Sequence, residues 1–126
     1  MTKEINSLVL AYLGDTIYED YIREYLINKG IRNVNALQQE AISFVSAKAQ
    51  ASYLQELLNK DFFNDIELEI IKRARNHKTN SHPKNCDIIT YKYATALEAL
   101  IGYLKLEKKD DRIKQIMKEI VKVNLC

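Results

Sequence analysis

Helix breakers are so scarce in this chain that little besides helix can form over most of its length. Three glycines and one proline, Pro83, punctuate 126 residues, and apolar residues recur at three- and four-residue spacing between them. An all-α fold is expected. The first helix should begin near Ser7, a fair N-cap, and run to about Asn28, with Gly30 as a stop signal. It is apolar almost all round through Leu13, as a central helix would be. A second segment from Asn35 to Leu57 is one helix or two joined by a tight bend near Val45–Ser46. A third, from Asp65 to Arg75, carries acids in its first turn, where the helix dipole favours them. The polar stretch "NHKTNSHPKNCD", Asn76 to Asp87, holds the only proline and reads as a loop. Asp87 starts the next helix, which continues to about Glu107, and a short amphipathic helix at about 110–124 closes the chain.

The length fits one domain, spanning residues 1–126, with a core of ordinary size. A chain that is 47% hydrophobic is not a disordered one. No apolar run approaches the roughly 18 residues of a membrane span, and the opening "MTKEINS" carries no apolar signal core. A cytoplasmic protein is expected. Cys86 and Cys126 give no disulfide framework, which suits a reducing compartment. Charge is unevenly spread. From Lys72 to Lys92 six basic residues face one acid, Asp87, whereas the first 71 residues are net acidic. Such a band suits either a polyanion or plain solvation.

Two carboxylates stand out. Asp15 follows a nearly all-apolar run in "LVLAYLGDTIYEDY", and Glu98 is the only charge in "ATALEALIGYL". A lone carboxylate in apolar surroundings costs several kcal/mol unless it is compensated. Each is therefore a cap, a salt-bridge partner or a metal ligand. Neither run contains a basic residue, which gives the paired-metal reading its weight. His77, His82 and Cys86 lack a convincing fourth ligand for zinc.

These same runs resemble a known family. "LAYLGDTIYEDYI" is similar to the signature helix of the ribonuclease III nuclease domain, and "YATALEALIGYL" to its second acidic motif. "VSAKAQA" from Val45, "RARNHK" from Arg73 and the run from Pro83 to Leu104 resemble the small bacterial subgroup called Mini-ribonuclease III. The resemblance covers about residues 6–105. It implies an all-α endonuclease domain acting as a homodimer, with two sites along one valley that receives double-stranded RNA. It also implies that no separate double-stranded-RNA-binding domain is attached, and that the substrate is the precursor of large-subunit (23S) ribosomal RNA, with a ribosomal protein as an optional helper. By the same resemblance Asp15 and Glu98 are catalytic ligands of Mg²⁺, and the products carry 5′-phosphates.

The broader family has four acids at this site. Two of those positions fall here on Ala11 and Thr95, which supply no carboxylate, so one ion is expected rather than two. Glu19, one turn after Asp15, is an outer acid or a solvated helix charge. Thr95, one turn before Glu98, positions a water or simply packs. Arg75, Asn76, Lys78, Lys84 and Asn85 are the candidates for RNA contact, suited to phosphates and 2′-hydroxyls; Lys48 and Gln50 are further ones. The eight tyrosines read mainly as packing residues. The alternative is a non-catalytic helical dimer that binds structured RNA with the same basic band, its two acids being structural.

Overall fold

The computed structural model describes residues 2–78 and 83–125. His82 and Cys126, both named from the sequence, lie outside them. Among these residues a 3₁₀ turn at Thr2–Glu4 is followed by six helices: α1 Ser7–Asn28, α2 Val34–Val45, α3 Ala47–Asn59, α4 Asp65–Arg75, α5 Ile88–Leu106 and α6 Asp110–Leu125. No strand occurs among the described residues, so the all-α expectation holds.

Boundaries follow local chemistry. The cap of α1 is Asn6 rather than Ser7: the Asn6 side chain accepts from the Leu8 N–H at 2.7 Å, while Ser7 is already helical and buried. Gly30 sits at φ 107°, a left-handed conformation that ends the α1 run. The segment from residue 34 to 59 is two helices. Ser46 adopts ψ 151°, closes α2, and caps α3 by accepting the Ala49 N–H on its hydroxyl at 3.1 Å. Asp87 caps α5 in the same way, through the Thr90 N–H at 2.8 Å.

The central helix is α5, not α1. Residues Ala94–Leu97 and Ala99–Leu104 are all buried, because α1, α3, α4 and α6 all pack around this helix. The apolar N-terminal half of α1 instead has two apolar faces. Leu10 and Ala11 turn into the core, whereas Val9 and Tyr12 are 57% and 83% exposed.

The start of α4 is tied to α6 by a polar cluster. Arg112 donates to both oxygens of Glu67 at 2.8 Å and to the Phe62 carbonyl at 2.8 Å, and its guanidinium lies 4.4 Å from the Phe62 ring centre. Asn64 and Glu67 complete a capping box. Burial alone would raise the Glu67 pKa, but the Arg112 hydrogen bond and the Asn64 N–H bring it below the usual value. Replacing Arg112 with alanine strands a buried carboxylate, and we expect a loss of about 3 kcal/mol in urea denaturation. In the parent, this contribution is present at neutral pH and is lost as pH falls through the depressed Glu67 pKa.

Candidate active site

The site forms where α1 and α5 cross. A Cβ placed on Gly14 would fall 1.7 Å from the Glu98 carbonyl oxygen, and one on Gly102 would fall 1.9 Å from the Leu10 carbonyl oxygen. Each glycine thus lies against the other helix's backbone, a closeness that no side chain permits. This is why Gly14 precedes Asp15. The glycine brings α1 onto the backbone of Glu98, so the two acids share one seam.

Asp15 is exposed and Glu98 is half-buried. Burial, followed by the hydrogen bond and the negative charge of Asp15, pushes the Glu98 pKa up to about 8, and Glu19 adds to the rise. The Gln50 amide opposes it by donating to Glu98 Oε2 at 3.3 Å. No lysine or arginine among the described residues forms an ion pair with either acid. Near pH 7 Glu98 holds a proton that a divalent cation can replace. Oxygen donors of this kind fit Mg²⁺. No group of three or more His, Cys, Asp or Glu side chains suited to a metal gathers among the described residues.

Gln50 departs from the sequence expectation. It is only 3% exposed and faces Glu98, so it is not the surface RNA contact that the sequence suggests. A signal for this is present in the sequence. Gln50, Tyr53, Leu54 and Leu57 share the buried face of α3, and an amide within an apolar stripe needs a partner.

The other candidates have surroundings of their own. Glu19 is half-buried and ion-paired with Arg23 at 3.7 Å. Thr95 is buried and borders a small cleft with Leu8, Ala74 and His77. Ala11, at one of the missing-acid positions, is buried too. Arg75 is half-buried, with its guanidinium 6.0 Å from the Tyr93 ring centre, and Asn76 caps the end of α4. Lys78, Lys84 and Asn85 are exposed. Asn85 lines a cleft with Lys48, which brings the start of α3 and the loop before α5 to one place.

The comparisons agree with this architecture. The Ribonuclease III domain model matches residues 8–109. A Mini-ribonuclease 3 of Brevibacillus brevis is 48% identical over 114 residues, covering 90% of this chain and 84% of the relative. One of Staphylococcus aureus is 40% identical over 121 residues, covering 96% and 90%. A crystal structure of a protein from Fusobacterium nucleatum superimposes with a TM-score of 0.84 at 36% identity, covering 94% of this chain and 95% of that one. With both acidic motifs brought together at the α1–α5 seam, the chain belongs to the Mini-ribonuclease 3 branch of the ribonuclease III domain family, whose members are endoribonucleases.

Proposed function

We propose that the chain is a Mg²⁺-dependent endoribonuclease that cuts double-stranded RNA as a homodimer, leaving 5′-phosphate and 3′-hydroxyl ends. The observation that carries this reading is the Asp15–Glu98 pair, two adjoining carboxylates with no basic partner among the described residues. Bound there, Mg²⁺ supplies Lewis acidity toward a water and the scissile phosphate. Asp15, the more exposed acid, orients the attacking water. Glu98, fixed on the central helix, would hold the cation together with Asp15. Two protein carboxylates would suffice to hold one Mg²⁺, an ion that is commonly bound through one or two carboxylates. Thr95 and Glu19 serve at the edge of this arrangement.

Arg75, Asn76, Lys78, Lys84 and Asn85 take the RNA backbone. Removing Lys78 and Lys84 together should weaken binding to a long duplex measured without divalent ions. It should also flatten the slope of log affinity against log salt by about 0.9 for each phosphate that is no longer neutralised. An unchanged slope would remove them from the interface. The exposed apolar face of α1, with Leu8, Val9 and Tyr12 at 41%, 57% and 83%, supports pairing with a second copy, since a solvated monomer gains nothing from it. The substrate we assign is the paired stem of the 23S ribosomal RNA precursor, processed in the cytoplasm, with a ribosomal protein as an optional helper. The deciding experiment is cleavage of duplex RNA with and without Mg²⁺, beside Asp15→Asn and Glu98→Gln. Cutting that persists without Mg²⁺, or that leaves 2′,3′-cyclic phosphate ends, would overturn the mechanism.

A further inference from the structure

We propose that Gln50 is a positioning residue of the cation site, orienting the Glu98 carboxylate from a third helix. The assignment rests on the reading of Asp15 and Glu98 as a Mg²⁺ site. Its basis is geometric. The Ser46 hydroxyl caps the first turn of α3 through the Ala49 N–H at 3.1 Å, and the Gln50 N–H bonds the Ser46 carbonyl at 2.9 Å. The Gln50 backbone is thereby fixed where α3 packs on α5. Its side chain is 3% exposed and donates to Glu98 Oε2 at 3.3 Å.

Burying an amide strips it of water, and only a hydrogen-bond partner offsets that cost. A residue needed only for packing would therefore be served better by leucine or methionine. What an amide adds is a donor without a charge. A lysine at this place would orient Glu98 equally well, but it would cancel the negative charge that a cation requires. The Gln50 amide engages one side of the carboxylate and leaves its remaining lone pairs to the space shared with Asp15. Outer partners that orient a metal ligand typically contribute about tenfold to a hundredfold in metal affinity.

The test is Mn²⁺ binding to the full chain without RNA, read from the electron paramagnetic resonance signal of the free ion. The proteins compared are the parent, Gln50→Met, Gln50→Leu and Glu98→Gln, each checked for helical circular dichroism. Both Gln50 variants should fold and bind Mn²⁺ about tenfold or more weakly. In cleavage their half-saturating Mg²⁺ should rise by a similar factor, with the KM for duplex RNA unchanged. Glu98→Gln should lose the Mn²⁺ site. Parent-like Mn²⁺ affinity in the Gln50 variants, with binding lost in Glu98→Gln, would overturn the role of Gln50 while leaving the cation site standing. Parent-like binding in Glu98→Gln would instead overturn the cation site. Loss of the helical signal in both Gln50 variants would make Gln50 a packing residue and also sink the proposal.

Discussion

Asp15→Asn and Glu98→Gln should each lower Mg²⁺-dependent cleavage of duplex RNA at least about a hundredfold, more than loss of an outer partner costs, while RNA binding without divalent ions stays near that of the parent. Glu98→Gln should also become more stable when metal-free. The sign follows from the Glu98 pKa. Burial and the neighbouring Asp15 raise the Glu98 carboxyl from 4.5 to about 8 in the folded chain. The folded state therefore holds a proton that the unfolded state releases between these values, and stability falls as pH rises from about 4.5 through about 8. The neutral amide of the variant has no proton to release. Thermal melts without divalent ions should show the variant above the parent at pH 8, with the gap closing toward pH 4.5. Added Mg²⁺ should raise the parent melt at pH 8 and leave the variant unmoved. Because the ion displaces this proton, the Mg²⁺ demand of cleavage should fall by up to about tenfold for each pH unit gained below the Glu98 pKa. A variant that melts below the parent at pH 8 would contradict the unpaired-acid account of the site.

Gly14→Ala should be the most damaging conservative change to the fold. The added methyl would meet the Glu98 carbonyl oxygen at 1.7 Å, a clash with backbone that no rotamer relieves. The helices must move apart, opening the packing along the length of α5. We expect a loss of about 3 kcal/mol or more despite the better helix propensity of alanine. For a chain of this size that is a fall in Tm of roughly 12 °C. Gly102→Ala should behave alike, since its methyl would meet the Leu10 carbonyl oxygen at 1.9 Å. Activity should fall further than the folded fraction, because the same separation pulls Asp15 from Glu98. A Gly14→Ala protein with parental Tm and cleavage would show that the crossing tolerates a wider gap.

Local chemistry is legible in the sequence because it needs only neighbours along the chain. The third helix is found at Asp65–Arg75, as expected, and Asp87 caps α5. Ser46 carries the bend that the sequence leaves open between one helix and two. The cap of α1 lies one residue before the expected position. Asn and Ser are both good caps, and periodicity does not separate adjacent candidates.

Periodicity, breakers and caps along the chain already show that it is helical, where its breaks fall, and which two acids are out of place among apolar neighbours. Helix packing, by contrast, sets which apolar helix is surrounded and which keeps an open face. Both α1 and α5 read as core, and their difference arises from how many helices pack on each. Packing also sets the place of Gln50. Its place in the apolar stripe of α3 signals burial, but which group it partners is set only when α3 is laid against α5 and the amide meets Glu98. The proximity of Asp15 and Glu98 is of the same kind. They are far apart along the chain, and two backbones meeting at Gly14 and Gly102 bring their carboxyl groups within hydrogen-bonding reach.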